Sequence, residues 1–296
     1  MKRIAYWLAK AWVYWISLTP FGLLYLRSDV YAFLLYHVFR YRRKVVRDNL
    51  QKSFPEKPPK KIKKIEKKFY RNFCDTFVEF CKIFSMKAEA FKERVTVTNP
   101  EVMRDLYAKN KSVFMALHHS SNWEWLWKVM DEVSAHQPCA IYKKFSNHYF
   151  DDLLLQARIR HADVGDGLIE DKDTVRALRD RRERIDAYFI LSDQSPRGAK
   201  TDYWTEFLHR DTCWFTGLEK LAKRFDIAVV YVDMQRTGRG RYNVTFDLIC
   251  ENPAETEEGF IMEQYVRHLE RFLQNNPDNW LWSHRRWKHS RPIEAQ

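Results

Sequence analysis

Glycine is scarce in this chain, 8 residues in 296, and proline contributes only 10. No Ser/Gly-rich linker, low-complexity tract or repeat at solenoid periods is present, which favours one main folded unit over a tandem array. No glycine-rich phosphate loop occurs either, so the nucleotide-binding enzymes that depend on one are set aside. Cysteine is limited to Cys74, Cys81, Cys139, Cys213 and Cys250. Their odd number, their scatter and the absence of C-x-x-C pairs exclude a disulfide framework and a zinc site and point to a reducing compartment. They read as small core hydrophobes, and nothing beside Cys213 in sequence would activate it as a nucleophile. No metal site is expected.

Long uninterrupted apolar runs are also missing. The segment AYWLAKAWVYWISLTPFGLLYL, residues 5–26, has Lys10 as its one charge, but its uncharged part from Ala11 to Leu26 is 16 residues. That is about 24 Å of helix, short of a hydrocarbon core of about 30 Å, and Pro20 interrupts it. Tyr6, Trp7, Trp12, Tyr14, Trp15 and Tyr25 recur along it, the residue types that favour a membrane–water boundary. A helix lying in or dipping into the interface is expected, with a buried helical pair as the other reading. A second apolar segment, VYAFLLYHVF, follows at once, and no small-residue cleavage site separates the two.

What the chain has in excess is positive charge: 51 Lys and Arg against 39 Asp and Glu, a net +12. An anionic partner follows. The block RYRRKVVR, residues 40–47, adjoins the apolar segments, and KPPKKIKKIEKK, residues 57–68, opens a long helix. Basic clusters beside apolar segments favour a membrane surface over nucleic acid, for which no recognisable module is present. The expected division is 1–40 as membrane-anchoring helices and 41–296 as the working domain, with 41–93 a basic helical lead-in.

From about residue 94 the pattern changes. Short apolar runs SVFMALHH, CAIY, DAYFILSD and IAVVYVDM alternate with helical stretches WEWLWKVMDEV, DTVRALRDRRER and TGLEKLAKRF. This alternation predicts an α/β fold, a largely parallel sheet flanked by helices. In YNVTFDLI, Tyr242, Val244, Phe246 and Leu248 share one face, which predicts a half-exposed strand near an edge. Ligands of such sheets collect beyond the carboxyl ends of the strands.

At one of those ends lies ALHHSSNWEW, residues 116–125. On one continuous helix His119 and Glu124 would be about 140° apart at ~3.6 residues per turn, so they cannot pair as helix neighbours. With Ser120 to Asn122 forming a strand-to-helix turn capped by Asn122 or Ser121, the Glu124 carboxylate is expected to swing back and orient the imidazole as a base. His118, with Trp123 five residues on, reads as structural.

HSSNWE resembles the histidine, four residues, acidic motif of glycerolipid-type acyltransferases, and its NWE ending is similar to the lipid A late acyltransferase family. The resemblance extends to YRRKVVRDNLQKSFPE (41–56), SDQSPRG (192–198), TGLEKLAKRFDIAVVYV (216–232) and NPDNWLWSHRRWK (276–288). It implies a glycerolipid-acyltransferase-like α/β fold with a membrane-associated N-terminal helical segment at the cytoplasmic face of a bacterial inner membrane. It also implies a base, His119, oriented by Glu124, that takes the proton from an acceptor hydroxyl, most directly the 3-hydroxyl of an acyl chain already on the glucosamine disaccharide. The alkoxide would attack the thioester of an acyl-acyl carrier protein, with Arg158 or turn amides serving the oxyanion. Acyl carrier protein, the anionic lipid acceptor and the membrane surface are the implied partners, with no cofactor and no nucleic acid. Asn122, Trp123, Lys143, Asp193, Gln194, Arg285 and Arg286 are the implied substrate-binding positions.

Two segments depart from the family. YKK, residues 142–144, replaces Tyr-Arg-Pro, trading a planar fork for a point charge. FLHR, residues 207–210, replaces an aromatic pair with glycine and is expected to reshape a pocket. A lysophospholipid or aminolipid acceptor fits the same dyad, and a basic membrane-binding protein without catalysis is the non-enzyme alternative.

Overall fold

A computed structural model of the chain describes residues 2–145, 147–161, 165–196 and 203–291. The aromatic N-terminus forms helices α1 (Lys2–Leu18) and α2 (Phe21–Phe33), separated at Pro20, and α2 runs on into a π turn, Leu34–Val38. Among the described residues no helix is long and apolar enough to cross a membrane. One side of this pair is buried through Val13, Ile16 and Leu24, while Trp7, Leu8, Trp15, Leu18, Leu26 and Phe33 are exposed. Helix α3 (Arg43–Ser53) leads to α4 (Pro59–Lys82), which starts on a proline at its first turn, where the missing N–H costs nothing. Ile62, Ile65, Phe69, Val78 and Cys81 recur at helical spacing on the buried side of α4, leaving Lys60, Lys61, Lys63, Lys64, Lys67 and Lys68 exposed.

The remaining helices are α5 (Ala88–Lys92), α6 (Glu101–Ala108), α7 (Trp123–Leu126), α8 (Met130–Val133), α9 (His148–Ile159), α10 (Thr174–Asp180), α11 (Gly217–Phe225) and α12 (Phe260–Asn275). The strands are β1 (Val95–Val97), β2 (Val113–Leu117), β3 (Gln137–Tyr142), β4 (Leu168–Glu170), β5 (Asp186–Leu191), β6 (Tyr203–Phe207), β7 (Arg210–Trp214), β8 (Ala228–Gly238) and β9 (Arg241–Cys250). Seven of them form one sheet in the order β1-β9-β8-β2-β5-β3-β4, in which β8 and β9 pair antiparallel and the other neighbours pair parallel. The four predicted runs become β2, β3, β5 and β8, and the alternating run becomes β9, one strand in from the edge. Its alternation ends at Phe246: the register shifts between Val229 and Val230, and Leu248 is exposed.

Both faces of the sheet are covered, which is why its central strands read as continuous apolar runs. Val113, Met115 and Leu117 of β2 enter one core with Val78, Trp125 and Val230, and Phe114 and Ala116 enter the other with Tyr188, Tyr231, Tyr265 and Phe272. The FLHR segment is the turn of a separate β6–β7 hairpin. Leu208 and His209 both adopt left-handed backbone (φ 51° and 61°), as a tight hairpin turn requires, and the Leu208 N–H donates to Glu270 Oε1 at 2.6 Å. Phe207 and Leu208 are buried, and Phe207 packs against Trp214, Trp280 and Trp287, so this segment fills core.

Candidate active site

Strands β2 and β5 are parallel neighbours in register, with Leu117 opposite Leu191. Two residues beyond that pair the chain places His119 beside Asp193. The His119 N–H donates to Asp193 Oδ2 at 2.9 Å, and Nδ1 is 2.6 Å from Asp193 Oδ1. Trp280 Nε1 donates to the same Oδ2 at 2.7 Å. Burial alone would raise the Asp193 carboxyl, but the adjacent His119 imidazole and its hydrogen bonds hold it below the usual carboxylate range. An ionised carboxylate only accepts, so Nδ1 carries the imidazole proton. Gln194 fits this tautomer, its amide nitrogen lying 3.1 Å from His119 Nε2, where it donates to the lone pair. The outcome is a histidine whose basic nitrogen points to the exposed Gln194 side, away from the carboxylate that orients it.

Asp193, and not Glu124, therefore fixes the imidazole. Helix α7 begins at Trp123, whose ring edge packs against His119 (centroids 5.2 Å, 72°), and Glu124 bonds elsewhere. Its carboxylate takes a forked pair of bonds from Arg158 of α9, Nη2 at 2.7 Å and Nε at 3.2 Å. Burial would lower the Arg158 guanidinium, yet the Glu124 charge and hydrogen bonds raise it above its ordinary value. Arg158 Nη1 is buried and has no hydrogen-bond partner among the described residues. Arg158 is itself held by its backbone: its carbonyl accepts from Lys128 Nζ at 2.7 Å and Trp127 Nε1 at 3.1 Å. Lys128 Nζ also reaches the carbonyls of Ala157 (2.8 Å) and Arg160 (2.5 Å), capping the C-terminus of α9 with all three donors of an ammonium.

The turn that carries His119 and leads to Glu124 is over-determined. Ser121 is left-handed (φ 53°), and its N–H donates to Asn279 Oδ1 at 3.0 Å while its hydroxyl donates to Met234 O at 2.6 Å. Asn122 occupies the helix-cap position but makes no capping bond. Its amide donates instead to Glu79 Oε2 at 3.2 Å, correcting the expected cap and placing Asn122 beneath the site rather than against a ligand. Glu79 is completely buried, and it also accepts from Tyr25 Oη (3.0 Å), Arg236 Nη1 (3.1 Å), Gly240 N (2.9 Å) and Tyr242 Oη. His118 points to the opposite face, with Ser120 Oγ 2.6 Å from Nδ1 and Tyr231 Oη 3.0 Å from Nε2. Burial pushes it down to about 4, so it is neutral near pH 7.

Of the other predicted positions, Lys143 and Arg285 are exposed. Arg286 is buried, donates to Cys213 O at 2.7 Å and stacks on Trp214 at 4.2 Å, while its Nε and Nη1 have no hydrogen-bond partner among the described residues. Arg197 and Gly198 of the SDQSPRG segment lie outside the described residues. Asn279, Trp280, Glu79 and Lys128 are the supporting residues that sequence reasoning missed. Asn279 and Trp280 stood inside the NPDNWLW segment, and Glu79 was visible as an acid within the apolar periodicity of α4. Among the described residues, no group of three or more His, Cys, Asp or Glu is placed to hold a metal ion.

A carboxylate-oriented histidine at the carboxyl end of a central parallel strand, with Glu124 just beyond it held by Arg158 of α9, forms a candidate acid–base site where α/β enzymes gather their ligands. Residues 1–289 match the family described as bacterial lipid A biosynthesis acyltransferase, so the chain belongs to that family and is an acyltransferase. A comparison with curated proteins gave no match.

Proposed function

We propose that the protein transfers a fatty acyl chain from acyl-acyl carrier protein to a hydroxyl of the lipid A precursor, with His119 as general base. The observation that carries this reading is the His119–Asp193 pair, which commits the proton to Nδ1 and leaves Nε2 basic. The acceptor hydroxyl displaces the Gln194 amide from Nε2 and gives up its proton there as its oxygen attacks the thioester carbonyl. The carbonyl oxygen becomes an oxyanion, the thiol of the carrier leaves, and the proton held on Nε2 is delivered to the leaving sulfur. Positive charge on the imidazole is stabilised by Asp193. Glu124 serves by fixing Arg158, whose unpartnered Nη1 is the donor available to the oxyanion or to an anionic acceptor.

The membrane surface is the proposed working place, the exposed aromatic side of α1 and α2 meeting the cytoplasmic leaflet of the inner membrane. The exposed lysines of α4 offer a docking face to an acidic carrier protein, and no cofactor is required. Purified protein supplied with acyl-acyl carrier protein and the hydroxylated lipid A precursor is expected to yield a product heavier by one acyl group in mass spectrometry. His119→Ala should abolish it. Acylation of a lysophospholipid or aminolipid instead would move the acceptor and keep the chemistry; no transfer to any acceptor from any thioester would sink the reading.

A further inference from the structure

The residues RYRRK, 40–44, connect the π turn after α2 to α3 and adopt an unusual backbone. Arg40 and Arg42 both have φ 49°, in the left-handed region that is strained for a residue with a Cβ. This conformation brings Arg40, Arg42, Arg43, Lys44 and Arg47 around one open cleft of about 540 Å³, in which Asp48 is the acidic lining residue. Part of this charge is matched. Buried Glu66 takes Arg47 through bonds of 3.0 and 3.2 Å and lies 3.9 Å from Arg43, and Asp48 pairs with Lys52 at 2.8 Å. Among the described residues no carboxylate pairs with Arg40, Arg42 or Lys44, and all three are exposed. The cleft opens on the first turn of α3, which contains no acid and adds the partial positive charge of a helix start.

Arg42 donates one N–H to Ser283 O at 3.0 Å; its remaining donors, together with Arg40 and Lys44, fit an anion with several acceptor oxygens. Guanidinium forks suit phosphate oxygens in pairs, whereas a single carboxylate would leave most of these donors unused. Val38, Phe39 and Tyr41, adjacent in the chain to its lining residues, are exposed, so the group can arrive with hydrocarbon attached. None of the residues lining the cleft belongs to the His119 turn. Glu66, which holds its floor, and Thr76, whose hydroxyl reaches Ser121 O at 3.5 Å, are ten residues apart on α4, about 15 Å at ~1.5 Å per residue. We infer that this cleft is a binding site for a phosphoryl group, of a phospholipid headgroup or of a free phosphate ester, distinct from the His119 site and independent of how that site acts.

The test uses the full chain and reads binding, not catalysis. Arg40→Gly/Lys44→Gln removes two unmatched cations and also relieves the left-handed strain at position 40, so it should melt no lower than wild type. Lys60→Gln/Lys63→Gln removes equal charge from the exposed side of α4 and is the control. Binding is measured to phosphatidylcholine vesicles with and without phosphatidylglycerol, and to inorganic phosphate by calorimetry, at fixed ionic strength. The cleft variant is expected to lose about 30-fold in affinity for the phosphatidylglycerol vesicles, from two cations near the surface, and the control several-fold less. Loss confined to vesicles assigns the site to a headgroup; loss of inorganic phosphate binding with vesicle binding intact assigns it to a free phosphate ester. Equal losses in the two variants, or no loss with either probe, would overturn the inference.

Discussion

His118 and His119 are consecutive and end the same strand, yet the sheet sends them into two different regions. His118 enters the core beneath α12, where Ser120 and Tyr231 satisfy both nitrogens and Phe272 packs on the ring. His119 enters the strand-end cleft, where one nitrogen is bound to a buried carboxylate and the other meets only an exposed amide. The side chains are chemically identical. What separates a structural histidine from a candidate base is which face the strand's alternation gives it, and whether a nitrogen is left for a ligand.

This contrast can be broken experimentally. The largest expected effect is His119→Ala, which should lower kcat about 10²- to 10⁴-fold, the usual worth of a general base, with the melting temperature nearly unchanged. Asp193→Asn should follow at up to about 10³-fold, because an amide can stabilise the wrong tautomer and cannot offset the imidazolium charge. Activity retained in Asp193→Asn but lost in Glu124→Gln would return the orienting role to Glu124. Arg158→Lys keeps the charge but loses the fork on Glu124, and a drop of about 10²-fold in kcat is expected if its free donor serves the oxyanion; a change confined to KM would make Arg158 a binding residue.

At His118 the expectation reverses. His118→Ala should destabilise by about 2–4 kcal/mol in denaturant melts, through the cavity and the buried hydroxyl groups left unpaired, while the folded fraction keeps wild-type turnover. The pH dependence follows with the same sign. Because His118 is held down to about 4 against an ordinary 6.5, the unfolded chain binds a proton that the folded chain refuses between those values. Stability should therefore fall as pH drops from about 6.5 to about 4, by up to about 3 kcal/mol, and His118→Gln should flatten that part of the profile.

The apolar runs at 113–117, 186–191 and 228–234 announced the central strands because both faces of the sheet are buried, and His119 was recognisable at the end of one of them. Its partner was not. Asp193 lies 74 residues away, and only the register that sets Leu117 against Leu191 brings the two together; spacing along the chain favoured the nearer Glu124. In hindsight each run is followed by two polar residues, HH and SD, so aligning the two strand ends would have pointed to the pair. Arg286 misled for the converse reason. A basic signature suggests a phosphate, but whether an arginine faces solvent or stacks on a buried tryptophan is settled by packing that sequence does not display.

The Glu79 cluster has a practical consequence for anyone shortening this protein. Its carboxylate has a donor on α2 (Tyr25), three at the β8–β9 hairpin (Arg236, Gly240 and Tyr242) and one on the His119 turn (Asn122), and nearby Asp75 accepts from Ser28 of α2 at 2.6 Å. A chain trimmed to begin at residue 41, the obvious recipe for improving handling by discarding the aromatic helices, would strip Tyr25 and Ser28 from two buried carboxylates and uncover the core that Val13, Ile16 and Leu24 now close. The N-terminal helices are keystones of the fold. Solubility is better sought by replacing their exposed aromatics one at a time than by amputation.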